Sequence, residues 1–245
     1  MLLTTFALAA VLCGIEYWRG VRGTDWANNL AAWAMYLLVA VAMLPLVPFW
    51  QGRGLLDAHS LPFWLAFPLF FLVADLGEYL YHRAQHRIPF LWAMHSLHHS
   101  DPEMSATTTA RHFWGDQIIK QVTIWSASSM IISPTTEIAL AYAVLGLWNF
   151  VVHSAVPLDL GRWSWLINTP VYHRRHHSCL PEHYDSNFAA ILPIFDVLAG
   201  TYRRGQGLPP TGLDRQPRNF AEVALWPLVF SGLLKAPKPA ASPGA

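Results

Sequence analysis

Long apolar runs alternate with polar segments along this chain, and several of the runs are about the length of a membrane-crossing helix. Residues 1–17 are apolar but lack a charged leading segment and a small-residue cleavage site, so they read as a retained first span. Residues 30–50 carry no charge and are about long enough to cross a bilayer. Residues 61–81 form a third apolar run, with Asp75 and Glu78 near an end that leads directly into His82. Residues 118–132 and 136–156 are two more apolar stretches joined at Ser133-Pro134, a pattern that predicts a helical hairpin whose first arm is short for a full crossing. Between and after these lie 89–116 and 157–220, which are too polar to span. Residues 221–234 predict a helix lying at the interface, and the tail 236–245 reads as disordered. The pattern therefore predicts an all-α integral membrane bundle of four to five spans, with polar helical segments on one side.

Composition agrees. The chain is 53% hydrophobic and 13% charged, against about 25% charged in an ordinary soluble domain. A formal net charge of +1 offers no basic excess for a nucleic-acid partner. Cys13 and Cys179 lie far apart and outside any CxxC pair, which argues against a disulfide framework or a thiolate zinc site. Arg19 and Arg22 follow the first run. Arg83, Arg87 and Arg111 follow the third, and Arg162, Arg174, Arg175, Arg203 and Arg204 follow the hairpin. The loop between the second and third runs has only Arg53. By the positive-inside rule the first loop and all the histidine-rich segments face the cytoplasm, with the N-terminus outside.

Twelve histidines are present, and ten fall between His82 and His177. His82 and His86 make an HxxxH motif; His95, His98 and His99 make HxxHH; His173, His176 and His177 make a second HxxHH. Spacings of three and four put side chains on one helical face a turn apart, where two imidazoles can chelate one metal. His98 and His99 point about 100° apart, so they can serve two different metals, and the same holds for His176 and His177. His153, at the cytoplasmic end of the hairpin's second arm, joins these eight on position alone. Nine imidazoles suit two ions better than one, although ligand type alone does not choose among iron, zinc, copper and nickel. Asp75, Tyr79, His82 and His86 form one helical stripe, and Glu78 sits one turn before His82, so the acids are candidates to orient the imidazoles. His59, His112 and His183 fall outside the motifs and read as packed or surface residues.

With those motifs, residues 70–204 resemble the fatty acid hydroxylase / sterol desaturase superfamily. The resemblance rests on D75-L-G-E-Y-L-Y-H-R-A-Q-H86, H95-S-L-H-H-S100, the T-P-V-Y-H-R-R-H-H-S run ending at Ser178, Y184-D-S-N-F-A189 and F195-D-V-L-A-G-T201. It implies a centre of two iron ions under cytoplasmic helices and O2-dependent attack on a lipid C–H bond. It implies His82, His86, His95, His98, His99, His153, His173, His176 and His177 as ligands, with Asn187 near the metals. It divides the chain into N-terminal transmembrane helices (1–60), a catalytic region (61–204) and an interfacial helix with its tail (205–245). Two departures stand out: Arg111-His-Phe-Trp114 replaces the usual Arg-x-His-Pro, and Tyr172 precedes His173 where a doubled histidine is common. No GxGxxG fingerprint is present, so electrons are expected from a separate ferredoxin or cytochrome; Arg174, Arg175, Arg203 and Arg204 read first as positive-inside anchors and second as a docking face for such an acidic carrier.

A histidine-rich metal transporter or storage protein is the alternative of a different class. It would place ligands within the spans or in low-complexity loops, whereas these lie at span ends in fixed motifs. A zinc hydrolase would want an open three-ligand site with a carboxylate base such as HExxH, which is absent.

Overall fold

A computed structural model describes residues 2–43, 45 and 54–231. The sequence expectations for 46–50 and for the tail lie outside those residues. Helices dominate. α1 (Leu2–Trp18) and α2 (Trp26–Met43) lead into the long α3 (Phe63–Arg87). α3 does not stop where its apolar run stops. It has a single β-branched residue, Val73, and continues through the polar end, so His82 and His86 stand on the same rod as the greasy segment.

What ends α3 is Ile88. Pro89 disfavours helical geometry in the residue before it, and Ile88 is extended at φ −97°, ψ 115°. Pro89 then opens α4 (Pro89–His99), where its missing N–H costs nothing. A one-residue corner therefore folds the HxxxH face back onto the first HxxHH face.

α5 (Trp114–Lys120), a π-helical turn (Gln121–Trp125) and α6 (Ser126–Ile131) form the first arm of the predicted hairpin. α7 (Thr136–Leu145) and α8 (Trp148–His153) form the second. The hairpin tip departs from the all-α expectation. Extended residues around Ser133-Pro134 leave backbone groups unpaired, and β2 (Ile132–Ser133) pairs in parallel with β1 (Leu56–Asp57). Among the described residues three helical runs, Trp26–Met43, Phe63–Arg87 and Thr136–His153, are long and apolar enough to cross a membrane. Their outer faces expose Leu38, Val41, Trp64, Leu80, Leu140 and Val144, side chains that hydrocarbon would cover.

The polar segments add α9 (Pro170–His176), α10 (Ile194–Ala199), α11 (Phe220–Ala224) and α12 (Trp226–Phe230). The stretch expected as one interfacial helix is thus broken at Leu225. Its inner face is core: Val223, Trp226 and Val229 pack with Met94 and Leu97 of α4, Ala32 of α2 and Phe113. Trp226 is fully buried and its Nε1–H donates to Ser96 Oγ at 2.9 Å, between two of the histidines of α4. Phe220, Leu225 and Leu228 remain exposed on the other face.

Candidate metal centre

Six of the nine histidines come from the last turns of four helices: His86 from α3, His98 and His99 from α4, His153 from α8, and His173 and His176 from α9. A helix C-terminus carries partial negative charge, each worth about 0.3–1 kcal/mol to a nearby cation. Four such ends converge on one place. α9 is short, and it is held by its own start: Thr169 caps it, accepting from Tyr172 N at 3.3 Å, and Pro170 is its first residue.

The nine motif and hairpin histidines sort into two groups. His82, His86, His95, His99 and His176 form one; His98, His153, His173 and His177 form the other. Within each group the ligand-type nitrogens all lie within 4.8 Å of one another. The adjacent pairs divide as helical rotation requires: His98 and His99 go to different groups, and so do His176 and His177. The groups touch where the His99 and His177 rings stack, with centroids 4.2 Å apart.

Backbone carbonyls orient three of the rings. The Nδ1–H of His82 donates to Phe188 O at 2.7 Å, that of His153 to Asn149 O at 2.7 Å, and that of His176 to Ser186 O at 2.8 Å. A carbonyl only accepts, so Nδ1 carries the proton and Nε2 presents its lone pair inward. The Nε2 atoms of His98 and His173 both approach the Nε2 of His153 at 3.0 Å, and those of His82 and His95 stand 3.1 Å apart. The Nε2 atoms of His86, His99, His176 and His177 are buried with no hydrogen-bond partner among the described residues. Buried polar atoms are ordinarily paired. Lone pairs that converge without enough protons to satisfy them are what a cation would neutralise, so the donor set fits metal.

Protonation does not compete near neutral pH. Burial, reinforced by neighbouring imidazoles, holds His95, His98, His99, His173 and His177 well below the usual histidine range, and burial lowers His176 to about 4. The neutral form is the one that ligates.

The four expected orienting residues do not reach the rings. Asp75 is buried and accepts from Ile191 N at 3.2 Å and Leu192 N at 3.0 Å. Glu78 pairs with Lys120 at 2.7 Å. Tyr79 Oη meets Thr201 Oγ1 at 3.1 Å and accepts from Arg83 at 3.1 Å. Asn187, left-handed at φ 62°, accepts from Arg203 N at 2.7 Å and donates to Tyr172 O and Arg203 O. Asp75, Tyr79 and Asn187 instead anchor the 187–203 segment, whose Phe188 carbonyl faces His82. The hub of that segment is Asp196, which the motif reading missed. Its carboxylate accepts from Phe188 N, Ala189 N, Thr201 Oγ1 and Tyr172 Oη at 2.5–3.0 Å. Only its place in the F195-D-V run marks it in the sequence.

His112 belongs to neither group, yet its ring stacks on that of His98, with centroids 4.3 Å apart. Its Nδ1 is 3.7 Å from Asp116, which also accepts from Tyr81 and Gln85. His59 is exposed, and His183 contacts Ser178 Oγ at 2.9 Å. Arg174, expected on the docking face, is buried and donates to Met104 O and Pro209 O. A cavity of about 240 Å³ reaches His86, His99, His176 and His177 past Trp92, Tyr184 and Leu213.

Residues 67–201 match the family described as fatty acid hydroxylase. The chain is 34% identical over 192 residues to alkylglycerol monooxygenase of Danio rerio, covering 74% of this chain and 41% of that protein. It is 30% identical over 181 residues to alkylglycerol monooxygenase of Xenopus tropicalis, covering 74% and 36%. It is 28% identical over 131 residues to ornithine lipid hydroxylase OlsE of Rhizobium tropici, covering 54% and 40%. The chain thus spans less than half the length of these curated relatives. No solved structure matches. With that match laid over two groups of histidines, seven of the nine buried, the chain belongs to the fatty acid hydroxylase family, a family of di-iron lipid hydroxylases and monooxygenases.

Proposed function

We propose that the nine histidines hold two iron ions, and that the protein is a membrane oxidoreductase using O2 to hydroxylate or desaturate a lipid. The observation that carries this reading is the pair of histidine groups with inward lone pairs and no carboxylate or thiolate among them. Bound there, the metal pair supplies the activation of dioxygen. Hydroxylation balances as R–H + O2 + 2e⁻ + 2H⁺ giving R–OH + H2O; desaturation removes two hydrogens and releases two waters.

The chain's own part is positional. Phe188 O, Asn149 O and Ser186 O fix the tautomer and tilt of His82, His153 and His176. Trp92, Tyr184 and Leu213 wall the cavity that leads to the imidazoles, which restricts water and aligns one C–H bond. The site stands at the ends of apolar helices, so a lipid tail reaches it from the bilayer. The charge pattern supports a cytoplasmic location. Electrons come from a separate ferredoxin or cytochrome, received by exposed Arg203 and Arg204. Relatives named for alkylglycerols and for an ornithine lipid make polar-headed lipids the first substrates to assay.

The deciding experiment is purification in detergent, metal analysis, and oxygen uptake with a chemical reductant and a lipid panel. Two irons per chain and a product carrying one more oxygen, or two fewer hydrogens, support the reading. One stoichiometric zinc, or metal flux in vesicles without oxygen uptake, overturns it.

A further inference from the structure

The first helix lies outside the family-matched segment, yet it carries a buried acid. Glu16 is 3% exposed, and a carboxylate at the end of an apolar helix is costly to keep there without a role. Its Oε1 accepts two backbone hydrogen bonds, from Ala106 N at 2.8 Å and from Ala155 N at 2.8 Å. These two residues are far apart in sequence. Ala106 opens the short turn Ala106–Ala110 that follows α4, and Ala155 lies two residues after His153. Arg174 joins the same place from α9, its Nη1–H donating to Met104 O at 2.9 Å, two residues before Ala106.

The histidines beside these contacts come mostly from one group. His98 and His99 close α4, His153 ends α8, and His173 immediately precedes Arg174 on α9. Of these, His98, His153 and His173 belong to the four-histidine group and His99 to the other. The five-histidine group also takes His95 and His99 from α4, but its His82 and His86 stand on α3, and His82 and His176 are oriented by the carbonyls of Phe188 and Ser186, to which Glu16 makes no hydrogen bond.

We propose that Glu16 is a positioning residue for the four-histidine site: one carboxylate oxygen gathers the segments that follow His98 and His153 and so sets the spacing of those imidazoles. The inference rests on the di-metal reading above. Its specific content is asymmetry. Loss of Glu16 weakens one metal site and spares the other, whereas a residue that merely supports the fold would weaken both.

The test loads the full chain with Co(II), whose visible absorption reports coordination, and measures ions per chain against a competing chelator. Wild type and Glu16→Gln, which keeps the Oε1 acceptor, are expected to hold two. Glu16→Ala is expected to lose about ten- to hundredfold in affinity at one site, the range for removing an outer partner of a ligand. Glu16→Asp keeps the charge but falls short of both N–H groups, so it carries the same prediction if Glu16→Ala does not accumulate. Assignment comes from two backgrounds. With His173→Ala disabling the four-histidine group, the Glu16 variant should change nothing further; with His86→Ala disabling the other, it should weaken the ion that remains. Equal weakening in both backgrounds, or none in either, overturns the proposal while leaving two metals in wild type. A wild-type chain that takes up no cobalt overturns the di-metal reading and this one together.

Discussion

At His153 the Nδ1–H is committed to Asn149 O, and the single lone pair left on Nε2 faces two other ring nitrogens at 3.0 Å. One lone pair cannot satisfy two neighbours, whereas an ion between the rings satisfies all three. His173→Ala should therefore cost one metal per chain, with an affinity loss beyond the roughly 10–100-fold that follows loss of an outer partner. Metal content after chelator challenge checks this. Asp196 makes the second residue-scale prediction. Asp196→Ala strands two backbone N–H groups and two hydroxyls that the carboxylate now satisfies. At about 1–3 kcal/mol for each buried group left unpaired, the loss should be about 3 kcal/mol or more, read as a lowered denaturation midpoint in detergent. Titration gives a third. His176 takes up its proton near 4 in the folded chain and near 6.5 when unfolded. Between those values the unfolded chain binds more protons, so metal-stripped protein should lose stability as pH falls from about 6.5 toward 4 and hold it above. A midpoint that stays flat across that window would contradict the burial of these imidazoles.

Among the elements, α12 decides whether the region after the last motif matters to the site. Trp226 is fully buried against α4, so Trp226→Ala should cost about 3–5 kcal/mol and loosen metal retention, while Leu228→Ala on the exposed face should cost under about 1 kcal/mol. Paired melting curves with metal analysis separate the two. The elements also show what is legible in a sequence. The helix spacing of the three motifs needs only the pitch of a helix, and the division of adjacent histidines follows from the same number. Trp226 was not legible, because an apolar stretch at a membrane interface and one packed on a neighbour have the same composition. The orienting groups were not legible either. Asp75 and Glu78 share a helical stripe with His82, but the partners of the imidazoles are main-chain carbonyls, which no residue letter records.

For the molecule as a whole, the proposed cytoplasmic placement of the histidine segments is open to a labelling test. Cys179 is exposed, next to the second HxxHH motif. In right-side-out vesicles a membrane-impermeant maleimide should leave Cys179 unmodified until the membrane is opened, as cytoplasmic placement requires. Labelling from outside in sealed vesicles would reverse the topology drawn from the arginines. In both α4 and α9 one helix serves both groups through neighbouring residues. The gap between the two histidine groups is therefore gauged by the winding of a helix rather than by the length of a loop. Such a gauge has no slack: a residue inserted between His95 and His98 turns the His98 and His99 rings by about 100° and sends each toward the wrong group. Variation in this chain has room at the cavity wall and the outer faces, and almost none in the count of residues between its histidines.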